Sequence, residues 1–289
     1  MDTPTLLLAC VVFLLAGTVK GVLGLGLPTV AMGLLALGMP PASAAALLLV
    51  PSLVTNVWQI VPFHGLGPLL RRIAPLSLAA CVGTALGGVL FGAPHGSWAS
   101  LALGLILVLY AAWSLAGRQY RIPPRYESWM GIAAGLLTGL ITAATGVFVV
   151  PAVPYLQALG LSKNALIQAM GVSFTLSTLM LAVMLGGTGS LSAGSATLSL
   201  LMLLPALVGV ELGKRLRHRM SPVVFRRCFL LGLAALGGHM ILQAVRHAAT
   251  LHADTKNASM KKAAHRPPVE SYRRVRYIEC FRYVGSPVG

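Results

Sequence analysis

The sequence predicts an all-α polytopic membrane protein built from two repeats of four to five transmembrane segments each, inverted relative to one another, with short broken segments near the midplane. Three observations lead there. Of 289 residues, 56% are hydrophobic and only 10% are charged, with a mean hydropathy of +0.82; soluble domains carry about a quarter charged residues. The apolar residues fall in blocks close to the ~20 residues that one helix needs to cross lipid. The blocks also recur, half against half. No alternating ~10-residue pattern of an outer-membrane barrel occurs, which leaves helices to satisfy the backbone in lipid.

Taken in order, the first repeat (1–117) contains Thr5–Val19, a short segment Leu27–Leu37, then Ala42–Pro62, Ile73–Gly92 and Trp98–Gly117. Thr5–Val19 and Ala42–Pro62 are interrupted by polar residues or proline. A basic linker follows at 118–128. The second repeat (129–246) contains Trp129–Val150, a short segment Val149–Leu159, then Ala165–Gly187, Ser190–Val210 and Cys228–Val245. The tail, 247–289, mixes Lys, Arg, His and Pro, and its composition predicts disorder or adhesion to a membrane surface. Asp2 and the absence of Lys or Arg before the first apolar run argue against a signal peptide, so the first helix is expected to remain.

The repeat is carried by ordered matches. Ala16-Gly17-x-x-x-Gly21, Pro28 and Leu37-Gly38 reappear as Ala134-Gly135-x-x-x-Gly139, Pro151 and Leu159-Gly160. Val82-Gly83-x-x-Leu86-Gly87 reappears as Val208-Gly209-x-x-Leu212-Gly213. Between them lie two helices with polar centres, around Ser52, Thr55 and Asn56 in one copy and Ser173, Thr175 and Ser177 in the other. Short segments bounded by glycine and proline at matching places in two halves point to a transporter's binding site.

The formal charge of +16 suggests nucleic acid at first sight, but its distribution follows membrane topology. In residues 1–246 nearly all cations sit in short loops, as the positive-inside rule produces. The Arg71-Arg72 loop is basic, 93–97 carries no Lys or Arg, and 118–125 holds Arg118, Arg121 and Arg125. In the second half 186–195 is empty of cations and 214–227 holds Lys214, Arg215, Arg217, Arg219, Arg226 and Arg227. Equivalent loops therefore carry opposite bias, which predicts inversion with five segments per half and both termini outside. The basic tail opposes that scheme, and counting the short segments as re-entrant gives eight spans instead.

Lys20 is the sharpest functional candidate: a cation inside the first apolar run, between Gly17 and Gly21 and just before Gly24 and Gly26. A cation at membrane depth costs about 2.5–3.5 kcal/mol on insertion scales, and such residues usually face a cavity; the alternative is snorkelling to an interface. Asn56 and Gln59 lie on one helix face, and with Ser173 and Ser177 they offer amide and hydroxyl donors suited to an anion. Thr138, Thr142 and Thr145 recur along the Trp129–Val150 span, near Gly146. Interhelical hydrogen bonding competes as an explanation for all of these. The expectation is one polar, cationic pocket where the two broken segments meet.

His64 and His239 are weak candidates, and Glu211 is expected to pair locally with Lys214 and Arg215. Trp58, Trp98, Trp113 and Trp129 fall near span ends, as interfacial anchors do. The four cysteines are isolated, no metal-ligand or redox spacing occurs, and neither a phosphate-binding loop nor a catalytic motif is found. No cofactor, enzymatic activity or nucleic-acid partner is expected; a homo-oligomer is compatible with the sequence.

These motifs resemble the sulfite exporter TauE/SafE family of bacterial membrane proteins over about residues 6–246. The resemblance rests on Gly17–Pro28 with Lys20, the 50–59 helix, Gly135–Pro151, and Gly209–Arg227 with Ser221-Pro222 and Phe225-Arg226-Arg227. It implies a secondary transporter working in the export direction, for sulfite or organosulfonates at the inner membrane. Lys20, Gly24, Gly26, Asn56, Gln59, Thr145, Gly146, Ser173 and Ser177 would then contact the substrate. The chain departs from the family in lacking a dense glycine run at 24–27 and in its long basic tail. The alternatives are a membrane enzyme or assembly factor of sulfur metabolism, and a passive anion channel.

Overall fold

The computed structural model describes residues 3–61, 65–94, 96–117, 121–217, 219 and 221–264, with side chains for all of these except 97, 222 and 247–264. These residues form ten helices and no strand: α1 (Thr3–Leu23), α2 (Leu27–Leu35), α3 (Pro41–Ile60), α4 (Leu66–Phe91), α5 (Gly96–Ala116), α6 (Pro124–Thr145), α7 (Ala152–Ala158), α8 (Lys163–Gly187), α9 (Ala193–Arg217) and α10 (Pro222–Ala264). Eight are long and apolar enough to cross a membrane. The other two, α2 and α7, have 9 and 7 residues, about 13 and 10 Å at 1.5 Å per residue, and cannot span ~30 Å of hydrocarbon alone.

Glycine decides why these helices lie where they do. Against α9, a Cβ on Gly17 would come 2.2 Å from the Ala206 carbonyl oxygen, and one on Gly21 would come 2.3 Å from that of Val210. From the other side, Gly209 and Gly213 would each strike a carbonyl of α1, Leu14 and Thr18, at 2.2 Å. The same device joins α4 to α6: Gly83 faces Leu136 O, Gly135 faces Leu76 O and Gly139 faces Ala80 O, all within 2.3 Å. Lipid offers no hydrophobic drive between helices, so close backbone packing of small residues must hold them. Each seam joins a helix from 1–117 to one from 124–246, and residues Met1–Ala244 form one compact unit. Between the seams α3 packs on α8, with α3 also against α9 and α8 against α4.

Pro51 interrupts α3 and would leave the Leu47 carbonyl without its i+4 donor. Ser199 of α9 repairs the break: its hydroxyl donates to Leu47 O at 2.8 Å and accepts from Val50 N at 3.0 Å. Ser199→Ala leaves the Leu47 carbonyl unpaired in a buried site, at a cost of about 1–3 kcal/mol. We expect thermal unfolding in detergent to show that loss. In a Pro51→Ala background, where residue 51 regains an N–H, the same substitution should cost clearly less.

The cations gather at one end of the bundle. Arg72, near the start of α4, meets Glu127, near the start of α6, through two hydrogen bonds of 2.9 and 2.6 Å, and also donates to Leu159 O at 2.8 Å. Tyr155 donates to Glu127 O and Ile122 N to Ala158 O, so the end of α7 is fastened at the same place. Lys214 lies over the Trp58 ring, joining the ends of α9 and α3, and Arg226 donates to Ser114 O. Glu211 pairs with Lys214 and Arg215, as expected.

From about His247 the tail was expected to be disordered or to adhere to a membrane surface; its first part is helical, α10 continuing to Ala264. Its Ala, Leu, Met and Lys content between 248 and 264 favours helix. The second compact unit, Val245–Gly289, contains that extension.

Candidate functional site

Lys20 is buried, with 4% of its surface exposed. Its Nζ donates to Thr55 Oγ1 at 3.0 Å and to Asn56 Oδ1. The Thr55 hydroxyl donates in turn to Pro51 O at 2.6 Å. Asn56 passes the network on by donating to Ser52 Oγ at 3.2 Å, and Ser52 lies 3.3 Å from Thr178 Oγ1 on α8. Thr178 donates to Phe174 O, so Ser52 is the donor in that pair. A single polar thread thus runs from α1 through α3 to α8. No carboxylate pairs with Lys20 among the described residues.

The break after α1 lies beside this thread. Gly24 and Gly26 have φ of 78° and 108°, a region closed to most side chains, and they turn the chain from α1 into α2. Gly24 N donates to Lys20 O at 2.7 Å, closing the last turn of α1. Gln59 on α3 donates from Nε2 to Gly24 O at 2.5 Å and so holds the break against α3. Gly26 O accepts from Thr29 Oγ1 and Val30 N, which starts α2. Lys20, Gly24, Asn56 and Gln59 are therefore brought together, with Gly26 at their edge.

The second break is elsewhere. Gly146, at φ 72°, ends α6, and its N–H donates to Thr142 O. Thr145 caps the turn by accepting from Val147 N at 3.2 Å. A Cβ on Gly146 would meet Met32 of α2 and, at 3.4 Å, Ala45 of α3. Ala45 and Gln59 are fourteen residues apart on α3, roughly 20 Å along its axis. The structure thus places Thr145 and Gly146 toward one end of α3 and the Lys20 group toward the other. Ser173 faces α4, with its Oγ 3.1 Å from that of Ser77, and Ser177 is buried one turn further along α8. His239 is exposed, and His64 lies outside the described residues.

Sequence reasoning missed Thr178, Ser77 and Ser199. Each is a single small hydroxyl residue in an apolar helix, and only the neighbouring helix reveals its partner. Among the described residues no group of three or more His, Cys, Asp or Glu comes together.

Comparison with known families places this geometry in context. The family model described as Sulfite exporter TauE/SafE matches residues 9–240. No curated protein and no solved structure matches the chain.

Proposed function

The chain belongs to the sulfite exporter TauE/SafE family, and we propose that it is a secondary transporter carrying small sulfur oxyanions, sulfite or organosulfonates, out across the bacterial inner membrane. The observation that carries this reading is Lys20: a buried cation held by a hydroxyl and an amide, with no carboxylate to neutralise it among the described residues. A buried charge without a counter-charge is costly, and an anionic substrate supplies the missing partner. Asn56, Gln59 and the backbone of the Gly24–Gly26 break stand within a turn or two of it. Thr145, Gly146, Ser173 and Ser177 would contribute in another stage of the cycle, at the other end of α3 and on α8. A negative cell interior expels a monoanion with about 2.3 kcal/mol per 100 mV.

The basic end is assigned to the cytoplasm. In that orientation α1 runs toward the cytoplasm and α6 away from it, which supports inverted halves. The short helices return alongside: Gly24 lies by Gln59, whereas Gly38 lies by Leu8. On this topology α10 leaves the cytoplasmic end, and a reporter enzyme fused at Arg246 should be active only outside the cytoplasm; cytoplasmic activity would reverse the assignment.

Counterflow in proteoliposomes tests transport itself. Vesicles loaded with unlabelled sulfite should transiently accumulate labelled sulfite, and small organosulfonates should compete. A passive channel gives flux without counterflow, and an enzyme gives neither.

A further inference from the structure

We infer that Gln59 makes the Lys20 site selective for a monoanion carrying its own O–H group, so that hydrogen sulfite is accepted in preference to the sulfite dianion or an alkylsulfonate. This rests on the proposal that Lys20 holds the transported anion. The starting point is an unpaired acceptor. Gln59 Oε1 is fully buried and has no hydrogen-bond partner among the described residues. Its amide cannot simply be reversed, because Nε2 donates to Gly24 O and a carbonyl can only accept.

An unpaired donor lies nearby. An ammonium has three N–H groups, and among the described residues Lys20 uses two, on Thr55 and Asn56. Asn56 and Gln59 are three residues apart, neighbours on one face of α3. Gly24, which Gln59 holds, is itself bonded to Lys20 O. The free N–H and the free acceptor therefore sit within about one helical turn of each other. A ligand that satisfies both must present an anionic oxygen to Lys20 and an O–H to Gln59. A fully deprotonated oxyanion sets a negative oxygen against the Gln59 carbonyl, and an alkylsulfonate, which has no O–H, can offer that carbonyl only another anionic oxygen or its alkyl group, so the carbonyl stays unpaired. A site built around a hydrogen bond rejects the analogue that cannot make it.

The test uses the full chain in lipid nanodiscs and equilibrium binding of two monoanions, hydrogen sulfite in mildly acidic buffer and methanesulfonate. The wild type should bind hydrogen sulfite at least about tenfold more tightly, and raising pH should weaken hydrogen sulfite binding more steeply than methanesulfonate binding. Equal affinities would overturn the inference, and this comparison needs no variant. In Gln59→Met the ratio between the two ligands should collapse toward one. Loss of the bond to Gly24 alone would weaken both ligands together and leave the ratio as it was, which also counts against the inference. Lys20→Met separates the two levels. If it abolishes both ligands while the wild type fails to discriminate, only the selectivity falls; if it binds both as the wild type does, the anion site itself falls.

Discussion

Replacing Lys20 with methionine will reduce sulfite counterflow by about tenfold to a hundredfold while the protein remains folded. The size follows from what is removed: hydrogen bonds to a charged group contribute about 1.5–3 kcal/mol, and each 1.4 kcal/mol is tenfold. Stability should change far less, because two effects oppose. The substitution abolishes the desolvation of an unpaired cation, which favours the variant. It also strips Asn56 Oδ1 of its donor, which disfavours it. Thr55 is spared, since its hydroxyl still donates to Pro51 O. Lys20→Arg should not restore full flux, because a planar guanidinium cannot replace a compact ammonium among Thr55, Asn56 and the α1–α9 seam. Counterflow and thermal unfolding measured on the same preparations separate function from folding; normal flux in Lys20→Met would remove Lys20 from the mechanism.

Gly17→Ala will have the opposite profile, unfolding the protein rather than disabling a folded one. Its new methyl would lie 2.2 Å from Ala206 O and 3.1 Å from Val210 N, both backbone atoms that cannot rotate away. The helices must separate, losing close contacts along a seam that also includes Gly21, Gly209 and Gly213. Overpacking usually costs about 1–3 kcal/mol, and a rigid backbone neighbour puts this case at or above the upper end. Gly238→Ala in α10 is the matched control. Nothing lies within 4 Å of its added Cβ, and alanine is the better helix former by roughly 0.5–1 kcal/mol. Thermal unfolding should therefore show a large fall for the first and no fall for the second. Equal behaviour would mean that the seams do not hold the bundle together.

The two outcomes also show what could be read from the residues alone. The helices were legible because glycine and proline punctuate the chain: the short segments expected at Leu27–Leu37 and Val149–Leu159 are α2, Leu27–Leu35, and α7, Ala152–Ala158. The Gly17 and Gly135 motifs were visible as repeats, but spacing announces a close approach without naming the partner. That Gly17 meets α9 and Gly135 meets α4 depends on how the two segments interlock. Lys20, Asn56 and Gln59 stood out by chemistry, each being costly in lipid. Ser199 did not, since its purpose is to repair a proline in another helix. The two breaks were expected to share one pocket; α3 separates them, because each break packs against a different end of that helix. Arg72 was counted only as a topological charge, whereas it also ties α4, α6 and α7 together.

The anion's position can be seen directly. Selenite mimics sulfite and scatters anomalously, so a structure of the full chain with selenite would locate it without reference to activity. We expect an anomalous peak within hydrogen-bonding distance of Lys20 Nζ, beside Asn56 and Gln59, that is lost in Lys20→Met. A peak at the Gly146 break with none at Lys20, or one that persists in the variant, would contradict this expectation.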